Sequence, residues 1–164
     1  MRHYERTAAD PPKDRVRPLL EQAWAFMDSI DTWCLFAAPV TDELAPNYST
    51  VITWPMDLAT MRGYLDKDMY PNLSAFDADV LRMFRNCRKF NGEGGEGKRF
   101  TQYAMLLNKQ WKEKKSQLDA QLVLMLQNKS SKPATFPVAA TTPSGGGTKK
   151  RPREAPKKEE DEDE

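Results

Sequence analysis

Histidine is almost missing from this chain: among 164 residues there is one, His3, near the start. Cysteine is nearly as scarce. Cys34 and Cys87 stand alone, with no second Cys or His at zinc-ligand spacing. With these shortages no catalytic or metal-ligating set can be assembled, so no enzymatic activity, metal or cofactor is expected. The glycine-rich stretch Gly92 to Gly97 is followed by Lys98-Arg99, but it lies between helical segments rather than after a strand, and so makes a weak phosphate cradle. Long apolar runs are also lacking, which excludes a membrane-spanning helix. The polar opening Met1-Arg2-His3-Tyr4-Glu5 does not read as a secretory leader. A reduced intracellular setting with free thiols is expected. Excess charge is missing as well. The 25 Lys and Arg against 24 Asp and Glu leave +1, which argues against bulk electrostatic binding to nucleic acid or anionic lipid. Neither a membrane nor direct sequence-specific nucleic-acid binding is expected.

What the chain does have is helical periodicity. Residues 1–14 hold Thr7-Ala8-Ala9-Asp10-Pro11-Pro12 without an apolar repeat and are expected to be a disordered lead-in. From Arg15 to Asp31, Leu19, Leu20, Ala23, Trp24, Met27 and Ile30 recur at helical spacing and predict a first amphipathic helix. Thr32 to Pro55 shows neither helical nor strand period and carries Pro39, Pro46 and Pro55, which argues against regular helix. It is too apolar for disorder, so an ordered loop packed on the helices is expected, and such loops commonly carry function. Asp57 suits an N-cap for a short helix with Leu58, Met61 and Leu65 on one face. Ser74 with Asp77 resembles a capping box opening the next helix. Phe76, Val80, Met83, Phe84, Cys87 and Phe90 form its apolar stripe, and it must end near Asn91, where glycine takes over. A last long helix holds Phe100, Ala104, Leu107, Trp111, Leu118, Leu122 and Met125 at helical steps, with Lys109, Lys112, Glu113, Lys114 and Lys115 on its exposed side. The count is four helices with one long ordered loop after the first, and short links elsewhere favour antiparallel neighbours in a bundle. On the residues alone, Asn91 reads either as a C-cap or as a carboxamide offering donor and acceptor to a pocket.

Three strings stand in one order: Phe36-Ala37-Ala38-Pro39-Val40, then Pro46-Asn47-Tyr48 through Trp54-Pro55-Met56-Asp57-Leu58, then Asn86-Cys87-Arg88-Lys89-Phe90-Asn91. Together they resemble a bromodomain, the acetyl-lysine-binding bundle. The resemblance runs from about Val16 to Leu118, and the domain is placed at 15–128. It implies an all-α fold, a left-handed antiparallel four-helix bundle with a long ordered loop between helices 1 and 2. It also implies site roles. Asn91 takes the place of the asparagine that donates to the acetyl carbonyl, and Tyr48 that of the tyrosine reaching the same carbonyl through a water. Val40 matches a small apolar wall, Phe36 and Pro39 a loop shelf, and Leu44 a further loop wall. Cys87 faces the pocket floor, Phe90 precedes the asparagine, and Phe100 lies at the variable gatekeeper. Ser49 and Phe90 stand where the family often has tyrosine, the Gly92 to Arg99 loop is longer and richer in glycine than usual, and Trp33-Cys34-Leu35 replaces the Trp-Pro-Phe shelf.

Lysine's hydrated charge is costly to bury unpaired, whereas acetylation removes the charge and installs an amide. The expected function is therefore a non-catalytic reader of acetyl-lysine. Its partners would be acetylated histone tails or other acetylated proteins, within a chromatin-associated complex, with the protein a monomer in the nucleus. A degenerate bundle acting as a protein–protein scaffold is the alternative. Residues 129–164 are expected to be a disordered tail. Lys149, Lys150, Arg151, Arg153, Lys157 and Lys158 resemble a nuclear-import signal, and Glu159 to Glu164 form an acidic terminus.

Overall fold

The structure, a computed structural model, describes residues 4–128. It is all-α: α1 (Lys13–Ile30), α2 (Tyr48–Val51), α3 (Leu58–Asp66), α4 (Leu73–Asn91) and α5 (Lys98–Gln127), with a single 3-10 turn at Gly95–Gly97. The four longer helices pack as a bundle. The apolar stripes read from the sequence are what they bury. Leu19 and Met27 of α1, Met61 of α3, Phe76 and Met83 of α4, and Leu107, Trp111 and Leu118 of α5 are all at most 1% exposed. Each such side chain contributes about 1.5–3 kcal/mol by leaving water. Two indoles add directional ties: Trp24 Nε1 donates to Leu58 O (2.9 Å), joining α1 to α3, and Trp111 Nε1 donates to Asp77 Oδ1 (2.7 Å), joining α5 to α4.

Helix ends show where local chemistry decided. Asp57 caps α3 as expected, its Oδ1 accepting from Thr60 N (2.8 Å) and its Oδ2 from Thr60 Oγ (2.7 Å). The cap of α4 is a correction. Asn72, not Ser74, is the N-cap, and its Oδ1 accepts from Ala75 N at 2.8 Å. Asn72 holds the extended backbone an N-cap requires, directly after Pro71, so Ser74 falls inside the first turn. The first helix begins at Lys13, directly after Pro12, and ends at Ile30, one residue earlier than expected, because Asp31 is drawn into the loop that follows.

A second correction lies in the long loop, which contains one turn of helix, Tyr48–Val51. Pro46 and Pro55 disfavour helix only at themselves and at Ala45 and Trp54, so the residues between are free to coil. Residues 4–12 are a third. Tyr4 packs on the Tyr70 ring, at 5.8 Å between centroids, and donates to buried Asp79 (2.9 Å), while Asp10 accepts from Asn72. The lead-in has no apolar repeat, and two side chains fix it to the bundle. The tail from 129 onward lies outside the described residues, together with the import residues Lys149, Lys150, Arg151, Arg153, Lys157 and Lys158.

Candidate functional site

The loop between α1 and α3 is pinned at both ends, and this pinning creates the site. At its start Asp31 is 4% exposed. Its carboxylate accepts from Leu35 N (3.1 Å), from Phe36 N (2.7 Å) and from the Tyr103 hydroxyl of α5 (3.2 Å). Trp33 lies flat on the Tyr103 ring, 4.2 Å between centroids and 5° from parallel. Farther on, Phe36 O and Ala37 O accept from Leu58 N (2.8 Å) and Ala59 N (3.2 Å), fastening the loop to the first turn of α3. The middle is held by Asp42, which accepts from Ser49 N (2.8 Å) and Ser49 Oγ (2.5 Å), and by Asn47 in the left-handed conformation asparagine tolerates. These bonds fix the course of the loop on the bundle at its start, middle and end.

Between the loop and the C-terminal end of α4 lies an open cavity of about 550 Å³. All nine side chains named from the sequence line it: Phe36, Pro39, Val40, Leu44, Tyr48, Cys87, Phe90, Asn91 and Phe100. Tyr48 is buried and meets the Phe90 ring edge-on at 5.0 Å; Phe36 meets Phe84 in the same manner at 5.4 Å. Leu44 is 79% exposed, so it stands at the rim rather than in the wall. The lining also includes residues given no site role above, notably Met56, Asp57 and Met83. Neither methionine carries a distinguishing signal in the sequence: Met83 sits on the stripe that builds the core, and Met56 is an apolar loop residue buried with it.

Asn91 is the last residue of α4, and Gly92 follows at φ 69°. Its Nδ2 donates to Cys87 O one turn back (2.9 Å) and approaches Cys87 Sγ at 3.5 Å. A carboxamide nitrogen carries two N–H groups. The bond to the Cys87 carbonyl fixes the amide plane, and the Cys87 sulfur is only a weak acceptor. The two readings of Asn91 are therefore compatible, since it ends a helix and lines a cavity.

Charge in the cavity is muted. Asp57 is the one carboxylate in the lining, and both its oxygens are occupied by the α3 cap. Burial raises the Tyr48 hydroxyl above its ordinary value, with Cys87 and Asp57 adding to the effect. Burial also pushes the Cys87 thiol up to about 11, against the lowering influence of Asn91. Both stay neutral at physiological pH, so the site presents apolar walls, a hydroxyl and an amide.

The comparisons agree with this architecture. Residues 20–98 match the family model for the bromodomain. "Bromodomain adjacent to zinc finger domain protein 2B" of Gallus gallus is 42% identical over 66 residues, which is 40% of this chain and 3% of that protein. "Bromodomain-containing protein 9" of Xenopus laevis is 34% identical over 89 residues, 52% of this chain and 17% of that protein. The chain thus spans a small part of the curated relatives it matches. Among solved structures, a hypothetical bromodomain of Trypanosoma brucei in complex with bromosporine superposes with a TM-score of 0.57 at 27% identity, covering 62% of this chain and 86% of that one. Helix order, pinned loop and matched segment lead to one conclusion: residues 20–98 of this chain form a bromodomain.

Proposed function

We propose that the domain is a non-catalytic reader of acetylated lysine, acting on histone tails as a chromatin adaptor in the nucleus. The observation that carries this reading is the Asn91 carboxamide at the wall of a mostly apolar cavity, its plane fixed by Cys87 O and its remaining donor capacity opposed only by the weak sulfur acceptor of Cys87. An acetyl methyl and the lysine stem match walls such as Val40, Tyr48 and Phe90. The acetyl carbonyl matches the remaining Asn91 donor, and Tyr48 lies near enough to the same cavity to share it through a water. An unmodified lysine would bring its charge to a site whose single carboxylate, Asp57, is already engaged, so discrimination follows from desolvation. The matched families point to chromatin, and the Lys149 to Lys158 tract is consistent with nuclear entry.

Isothermal titration of the protein with histone-tail peptides in unmodified, singly and multiply acetylated forms tests the reading. Heat from acetylated peptides alone, suppressed by bromosporine, is the expected result. Equal response to unmodified peptides, or none to any, overturns it. An array of acetylated non-histone peptides decides whether histones are the preferred source. Removing Lys149 to Lys158 from a fluorescent fusion should lower its nuclear share, and gel filtration should give the mass of one chain.

A further inference from the structure

From Val80 to Gly92 the chain carries Arg82, Arg85, Arg88 and Lys89 and no carboxylate. Arg82, Arg85, Asn86 and Lys89 follow at steps of three and four, so they share one face of α4. That face walls a second groove, of about 240 Å³, which has no lining residue in common with the acetyl-lysine cavity. The opposite wall is the loop segment Ile52-Thr53-Trp54. Asn86 Nδ2 donates to Trp54 O (2.8 Å) and holds that segment against the helix, leaving the Trp54 residue 60% exposed.

The four cations are not equivalent. Arg82 is paired with buried Asp79 (3.0 Å), and Arg88 is paired with Glu93. Arg85 and Lys89 have no carboxylate or side-chain hydrogen-bond partner among the described residues. They stand at i and i+4, a spacing at which like charges repel and destabilise the helix that bears them. An anionic partner would relieve that repulsion. The exposed indole narrows the choice of anion, because a cationic groove beside a solvent-facing aromatic ring suits a strand whose bases are free to stack while its phosphates follow the cations. A duplex keeps its bases from Trp54, and a run of Asp and Glu brings charge but no ring to the indole.

We infer that the groove between α4 and Trp54 binds single-stranded nucleic acid without sequence preference, its phosphates on Arg85 and Lys89 and a base on Trp54. The overall charge of +1 conceals this site because the cations are gathered on one helix face and balanced elsewhere. Lys89 lies two residues from Asn91, so the acetyl-lysine cavity and the strand would be held on one rigid element, α4.

Fluorescence anisotropy of the full chain with labelled 20-nucleotide single-stranded DNA and RNA tests this. Affinity should fall as salt rises from 50 to 200 mM. The double variant Arg85→Glu/Lys89→Glu should bind at least about tenfold more weakly and Trp54→Ala several-fold more weakly. The control Lys109→Glu/Lys112→Glu makes the same charge change on α5 and should stay within about twofold of wild type. Because the chain also has the basic tract Lys149 to Lys158, the difference between these variants is the readout, and circular dichroism and Tm establish that each is folded. The inference is overturned if the groove variant binds like wild type, if the α5 control loses as much, if Trp54→Ala has no effect, or if a duplex or a polyglutamate peptide binds more tightly than the single strand.

Discussion

Gly97 lies directly on the backbone of Asn91: a Cβ built at position 97 would come within 2.9 Å of the Asn91 carbonyl carbon and 3.1 Å of its Cα. The loop after α4 folds back so tightly that its last glycine touches the residue it follows by six. Thr101 Oγ, donating to Gly92 O (2.5 Å), closes the same turn from the α5 side. The requirement at 97 is for space rather than for unusual backbone angles, since its φ is −65°. Gly97→Ala should therefore displace Asn91, at a cost of about 1–3 kcal/mol from overpacking. Acetyl-peptide affinity should drop by about tenfold or more, with a lowered Tm. Gly94→Ala is the matched control, because nothing lies within 4 Å of a Cβ there. Equal behaviour of the two variants in titration and melting would remove Gly97 from the site's support.

Asn91→Ala removes the hydrogen bond to Cys87 O and, on the proposed function, one donor to the acetyl group. Loss of the donor should weaken acetyl-peptide binding by about 1–3 kcal/mol, roughly ten- to hundred-fold. The fold should suffer less, about 1 kcal/mol, because Asn91 ends its helix. Tyr48→Phe keeps the ring that packs on Phe90 and deletes only the hydroxyl, so its loss should be the smaller. Calorimetry on both variants orders the two contributions, and a larger loss from Tyr48→Phe would make the tyrosine the principal contact.

Alkaline pH should destabilise the domain. Cys87 is raised by burial from 9.0 to about 11, and Tyr4 from 10.0 to about 12 by burial and by its bond to Asp79. Tyr70 is raised further still, for the same reasons. Each holds its proton more firmly folded than unfolded. Their contributions are thus complete below the unfolded values and are lost as pH climbs through the folded ones. Tm should stay level up to about pH 9 and fall from there toward pH 12, measured by calorimetry. Cys87→Ala should flatten the first part of that fall, and Tyr70→Phe the later part. A slope unchanged in both variants would place its origin elsewhere.

Asp79 is fully buried and accepts from Tyr4 (2.9 Å), Tyr70 (2.9 Å) and Arg82 (3.0 Å). Removing its carboxylate leaves two hydroxyls and a guanidinium without their shared partner. Asp79→Ala should cost about 3–5 kcal/mol, the range for breaking a buried ion pair, and release residues 4–12 to protease. Tyr4→Phe should cost about 1 kcal/mol and give the same proteolytic opening at lower extent. Denaturant melts with limited proteolysis compare them, and a near-neutral Asp79→Ala would show that the network is not needed for the fold.

The stripes Leu19-Ala23-Met27, Phe76-Val80-Met83-Cys87 and Ala104-Leu107-Trp111-Leu118 determined by themselves that the protein is a helical bundle, because a period near 3.6 leaves one face that must be buried. The end of α4 at Asn91 and the Asp57 cap were equally local, set by glycine and by a carboxylate within reach of its own backbone. The four-residue helix at Tyr48, the Asn72 cap and the anchoring of Tyr4 were not legible. Each depends on a partner or a backbone angle that sequence spacing does not encode. The cavity belongs to the same class. Met83 looks like core, Met56 like loop, Asp57 like a helix cap and Gly97 like any loop glycine until packing brings the first three to one cavity and sets Gly97 against Asn91. Sequence settles which faces turn inward, since burial is a property of single side chains. Only the tertiary structure decides which inward faces fail to meet, and a binding cavity is that shortfall of contact between elements distant in the chain.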